Sequence, residues 1–161
     1  MGMAGYFVAV NAEQIAEFKD DPDSLADFLY PAEEEPKNSI DVDKAWHAIH
    51  YMLNGAAGPE EGQLAPAIFG GEPVGEEMDY GPARILSPED TRAVAATLAT
   101  IDEAAMRARY APEAMAEAQI YPDTWLGDDE ALDYVIHYYL RMAQFYADAA
   151  KRGDGVVLFL A

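Results

Sequence analysis

The sequence contains no cysteine, which excludes disulfide staples, thiolate nucleophiles and cysteine-ligated zinc together and suits a reducing compartment. Basic residues are scarce as well. Ten Lys and Arg stand against thirty Asp and Glu, a formal net charge of −20 with a pI near 4.1. Phosphate backbones and anionic bilayers are bound by clustered Lys and Arg, so the sequence predicts no nucleic acid and no membrane as partner. No apolar run approaches the roughly 20 residues that cross a bilayer. Residues Met1 to Asn11 carry neither a basic leader nor the long apolar stretch of a signal peptide. A cytoplasmic setting is therefore expected. Gly2 does not read as a myristoylation site, because that pattern asks for Ser or Thr at the sixth position, where Tyr6 stands. The catalytic signatures with diagnostic spacing are missing too: no Gly-x-Gly-x-x-Gly, no P-loop, no Gly-x-Ser-x-Gly elbow and no carboxylate pair whose spacing implies glycosidase chemistry.

What is present is apolar. Hydrophobic residues make up 51% of the 161 and aromatics 11%, enough for one packed core, and a single domain over residues 1–161 is expected. The charge is uneven. Residues 1–80 hold 17 acids against 3 lysines, net −14, and residues 81–161 hold 13 acids against 7 basic groups, net −6. The ordinary reading is a solubilising surface. The functional reading is an acidic surface that meets a basic protein partner.

Short apolar runs predict strands at Gly5 to Val10 and Gly155 to Leu160, with a weaker one at Ala83 to Leu86. The two terminal strands are expected to pair in one sheet. Helices are predicted from Asn11 or Ala12 to Lys19 and again after Pro22, carrying Leu25, Phe28 and Leu29, before Pro31 ends the second. Glu33 to Pro36 reads as a solvated loop. Gly55 to Gly81, rich in Gly, Pro and Glu around an apolar island at Ala65 to Phe69, reads as a long connection. Ser87 and Pro88, followed by Glu89 and Asp90, mark a strong helix start. Thr100 with Glu103 fits a capping box that breaks that helix before Met106. The last helix is expected from Asp128 or Asp129 to Arg152, ended by Gly153, with Leu132, Val135, Ile136, Tyr139, Met142, Ala143 and Tyr146 inward.

Chemistry concentrates in Asp41 to Gly55, with two carboxylates, an amine, an indole and two imidazoles on one short helix and its flanks. Asp43 is placed to cap the helix and Gly55 to end it. Trp46, Ile49, His50 and Leu53 share a face, so His50 points inward with the indole, while His47 and Tyr51 fall on a neighbouring face. A buried, satisfied imidazole is the plain reading of His50; a general base or ligand near Asp41 or Asp43 is the functional one. Asp43 and His47 lie four apart and His47 and His50 three apart, spacings one ion accepts, but the zincin arrangement is absent and no metal or other cofactor is expected. The loop holding Tyr121, Pro122 and Trp125 either staples itself to the core or walls a pocket. Asp133, His137 and Arg141 read as a surface ridge on the last helix.

Three pieces together resemble the YfbM-like family, small bacterial proteins grouped as a domain of unknown function. They are the opening Met1 to Phe7, the Asp41-Val42-Asp43-Lys44-Ala45-Trp46 run ending in His50 to Gly55, and Ile120-Tyr121-Pro122 ahead of the long last helix and terminal strand. The likeness spans nearly the whole chain. It implies an α+β fold and a bacterial cytoplasmic setting, and it implies no activity. Asp41, Asp43, Lys44, Trp46, His50 and Gly55 match the family-like motif; His47 and Asn54 fall outside it.

The expected fold is thus α+β: a small sheet including the N- and C-terminal strands, packed against several helices, with a long C-terminal helix. The expected function is noncatalytic binding of a basic protein partner or a small molecule. The surface for it is the acidic first half or a pocket of Asp41, Asp43, Lys44, Trp46, His50, Tyr121 and Trp125. The alternative is a small hydrolase or transferase working through Asp43, Lys44 and His50. A third reading is an acidic inhibitor of a basic toxin or nuclease, acting through Glu33 to Glu35.

Overall fold

The structure, a computed structural model, describes residues 2–30, 36–78 and 80–161. Strand β1 (Gly5–Val10) and the last strand, β5 (Gly155–Leu160), pair antiparallel from Gly5 opposite Leu160 to Val10 opposite Gly155. Around them lie β2 (Ser39–Asp41), β3 (Glu72–Met78) and β4 (Gly81–Leu86), in the order β2-β1-β5-β4-β3 with every pair antiparallel. Alternate side chains explain why the terminal runs are continuously apolar. Phe7, Ala9, Val156 and Leu158 enter a large core on one face, while Val8, Val10, Val157 and Phe159 enter a smaller one on the other. A strand covered on both faces has no solvent side to keep polar.

The smaller layer is built by α1 (Ala12–Asp20) and α2 (Pro22–Leu29), which contribute Phe18, Leu25 and Leu29. Asn11 opens α1 with a reciprocal box, its side chain accepting from the Gln14 amide at 2.8 Å while Gln14 accepts from the Asn11 amide at 2.9 Å. The larger layer holds α3 (Trp46–Asn54), α4 (Pro66–Phe69), α5 (Pro88–Leu98), α6 (Glu103–Arg107), α7 (Pro112–Glu117) and α8 (Ala131–Arg152). Helix α8 spans about 33 Å and ends where Gly153 turns left-handed, φ 79°. Its stripe is buried at Val135, Ile136, Tyr139, Met142 and Tyr146, with Leu132 and Ala143 half-buried. Two phenols on that stripe reach carbonyls on neighbouring segments, Tyr139 donating to Ile101 O at 2.7 Å and Tyr146 to Ala67 O at 2.6 Å. Burial pushes the Tyr139 phenol up to about 12 and raises Tyr146 as well.

Several local expectations change. Helix α8 starts at Ala131, because residues 128–130 form a turn in which Asp128 accepts from the Glu130 amide at 2.9 Å. Helix α5 stops at Leu98, and Asp102, not Thr100, caps α6 by accepting from Ala105 N at 2.8 Å. The Thr100 hydroxyl turns back to Thr97 O at 2.7 Å. The Gly- and Pro-rich middle is not one connection: it contains α4 and the edge strand β3, whose register shifts between Val74 and Glu77. The expected loop at Glu33 to Glu35 lies outside the described residues. Among the described residues no helix is long and apolar enough to cross a membrane.

Candidate functional site

The Asp41 to Gly55 segment leaves the sheet edge at β2 and makes one 3-10 turn, Asp43–Ala45, before α3 begins at Trp46. Asp43 does not cap α3 through its side chain. Its backbone is left-handed, φ 46°, an uncommon conformation for a residue bearing a side chain, and the Asp43 amide donates to Asp41 Oδ1 at 3.1 Å. The carboxylate is thereby turned toward α8, where Tyr134 donates its hydroxyl to Asp43 Oδ2 at 2.6 Å and accepts from the Lys44 amide at 3.0 Å. Burial, then the bond to Asp43, raises the Tyr134 phenol. Tyr138 beside it is raised by burial first and by the Asp43 and Asp41 charges second. Gly55 ends α3 in the left-handed region, φ 71°, as the sequence predicts.

Trp46, Ile49, His50 and Leu53 are all buried, His50 at 0% exposure. The indole and the His50 ring share a neighbour: Phe69 of α4 stands edge-on to Trp46 at 5.9 Å and to His50 at 4.8 Å. Trp46 also stacks with His47 at 5.1 Å and with Tyr121 at 5.6 Å. The Trp46 indole donates to Met3 O and the Tyr121 hydroxyl accepts from Met3 N, both at 2.8 Å, so the start of the chain is fastened across the stack. Trp125 is buried and donates to Ile120 O at 2.8 Å, holding the 121–125 loop to the core.

Residues 57–64, with no helix or strand of their own, are held by side chains of α3. Nε2 of His47 lies 3.1 Å from Ala57 O and Nε2 of His50 lies 2.7 Å from Gly58 O. A carbonyl only accepts, so both imidazoles carry their proton on Nε2 and leave Nδ1 as acceptor. Each Nδ1 is used. His47 accepts from the Tyr121 amide at 2.9 Å, and His50 accepts from Asn54 at 3.2 Å. Asn54 also donates to His50 O at 3.0 Å and accepts from Leu64 N at 2.8 Å. Burial lowers the affinity of both imidazoles for a second proton, outweighing the backbone bonds and, at His50, the nearby Glu61. Neither His47 nor Asn54 stands out from sequence as a site residue. The signal for Asn54 is its place four residues after His50, where helical side chains meet.

The seven candidate residues therefore fall into separate groups. Asp41 and Asp43 lie beside Tyr134 and Tyr138; Trp46, His50 and Tyr121 gather around the aromatic stack, and the exposed Lys44 side chain turns to the Tyr121 hydroxyl beside Gly2; Trp125 points into the core. His50 bonds to neither carboxylate. Among the described residues four ion pairs form, Lys19–Glu72, Arg107–Glu103, Arg107–Asp133 and Arg152–Asp154, and none engages Asp41, Asp43 or Lys44. The Arg107 pair takes Asp133 out of the expected ridge, and exposed His137 sits edge-on to Tyr138 at 4.9 Å. No three His, Asp or Glu side chains among the described residues converge to hold a metal ion.

No curated protein matches the sequence. The fold matches the crystal structure of YfbM from Escherichia coli, a protein of unknown function, with a TM-score of 0.73 over 98% of this chain and 99% of that one. At 19% identity that likeness is one of fold. Residues 1–159 match the domain of unknown function DUF1877, and the chain belongs to that family.

Proposed function

We propose that residues 1–161 form one domain, a bacterial cytosolic protein that binds a basic protein partner without catalysis. Its contact face centres on Asp41 and Asp43 with Tyr134 and Tyr138 of α8. The observation that carries this reading is the commitment of the histidines. All four ring nitrogens of His47 and His50 are bonded within the chain, so neither imidazole has a lone pair to offer a substrate. Asp41 and Asp43 are different. They are half-buried, outside any ion pair among the described residues, and fixed in orientation by the Asp43 amide and the Tyr134 hydroxyl. A carboxylate pair beside two phenolic rings suits a Lys or Arg side chain, which gains Coulomb attraction and ring-face contact together.

Retention of partners from a bacterial lysate at low and raised salt tests the reading, using the wild-type chain, Asp41→Lys with Asp43→Lys, and Glu113→Lys with Glu117→Lys at exposed positions of α7. Both double variants change net charge equally. A basic protein kept by wild type and by the α7 variant, lost with the Asp41 and Asp43 pair, and released by salt is the expected result. Equal loss from both variants points to bulk charge, and no retained protein at low salt removes the proposal.

A further inference from the structure

We propose that His47 and His50 form a paired, acid-operated latch: neutral, they fasten the 57–64 segment and the Tyr121 loop to α3, and a second proton on each ring releases both. The latch concerns opening of the chain itself, so it holds whether or not the Asp43 face binds a partner. Each ring is used at both ends as one tautomer, Nε2–H donating to a carbonyl and Nδ1 accepting from an N–H. A proton added at Nδ1 turns the acceptor into a donor. At His47 it then confronts the Tyr121 amide, a backbone donor with no rotamer to change. At His50 it confronts the Asn54 amide group, whose carbonyl end is already taken by Leu64 N. Rotating Asn54 to relieve one conflict breaks the other bond.

The two rings act on overlapping segments, which makes them a pair. His47 holds Ala57 and Tyr121. His50 holds Gly58 directly and Leu64 through Asn54, and Gly62 packs so closely on the Asn54 side chain that even a Cβ there would collide with it. Opening at either ring therefore loosens the other's anchor.

Several charged and titratable groups face the two rings. Glu61, on the held segment, favours a charge on His50, and His47 opposes one there. Arg109, following α6, donates to Met52 O and Leu53 O at 3.3 and 3.1 Å at the C-terminal end of α3. Lys44 lies one turn before His47, where its side chain and the Tyr121 hydroxyl both close around Gly2. Released segments expose the rings to water, where a second proton is easier to accept. Proton uptake on opening means that falling pH favours the open form.

Amide hydrogen exchange at pH 7.5 and 5.5, corrected for the intrinsic pH dependence of exchange, tests the latch on the whole chain. The Leu64 and Tyr121 amides, both bonded into it, are expected to lose about ten-fold or more of their protection at the lower pH and to exchange faster than the amides of β5 at both pH values, because the latch opens while the sheet stays closed. His47→Gln and His50→Gln, which retain an N–H donor but do not titrate, should each flatten the response. Unchanged protection at Leu64 and Tyr121 on acidification, or protection there equal to that of β5 at both pH values, overturns the proposal. Both of those outcomes are read on the wild-type chain alone, so the test remains decisive even if neither variant folds.

Discussion

The ribbon of β1 and β5 and the assembly of α3 with residues 57–64 are both buried parts of this molecule, yet they are held in opposite ways. In the ribbon, apolar side chains from two layers close on a backbone whose polar groups are satisfied by its own ladder. Its stability scales with buried area and owes little to pH. In the second region a stretch without helix or strand is fixed by two imidazoles and one carboxamide, each of which satisfies backbone groups far along the chain. There, leaving a buried polar group unpaired costs more than the bond itself contributed. The first region is governed by the volume of its side chains, the second by the pairing of its polar groups.

The largest effect separating them is expected from Leu158→Ala in β5. Leu158 is 1% exposed, so the substitution leaves a cavity and should cost about 3 kcal/mol in urea unfolding. That cost should be the same at pH 7.5 and 5.5. A strong pH dependence would mean that the ribbon is coupled to the histidines after all.

Next comes His50→Ala, expected to cost about 2 kcal/mol at pH 7.5 because Gly58 O and Asn54 lose their partner in a buried setting. The sign with pH follows from the lowered proton affinity of His50. A group depressed in the folded state contributes stability that is present above its unfolded value, near 6.5, and is lost as pH falls below it. The wild-type chain should therefore weaken below about pH 6.5, and the gap between it and His50→Ala should narrow. A gap that widens on acidification contradicts a neutral, Nε2-protonated ring.

A smaller effect, about 1–2 kcal/mol, is expected from Gly62→Ala. Gly62 has φ 104°, and an added Cβ would strike Asn54. The loss should appear as faster exchange at Leu64. An unchanged Leu64 amide would show that Asn54 has room to move and that the segment is looser than its hydrogen bonds imply.

The same contrast explains what is legible in the sequence. Strands β1 and β5, the stripe of α8, the Ser87 start of α5 and the Gly55 end of α3 rest on local signals, periodicity and caps, and they lie where those signals point. Residues that act through partners distant in the chain are not legible. The spacing of His50 turns it inward but cannot show that Gly58 and Asn54 use both its nitrogens. Asp43 reads as a helix cap because Tyr134, 91 residues away, is invisible from its neighbours. Strand β3 stays hidden because Pro73, Gly75 and three glutamates erase the alternation that identifies a strand, and its pairing to β4 overrides them.

That strand also sets how the sheet meets other molecules. Along its open side Pro73 offers no N–H, the shift between Val74 and Glu77 spoils the even spacing of rungs, and Glu72, Glu76 and Glu77 are exposed. A second copy laid alongside would find a gap in the ladder and meet its own charge. Behind that border lie strands buried on both faces, and any strand recruited to it has to align with the missing N–H, the shifted rungs and the carboxylates at once.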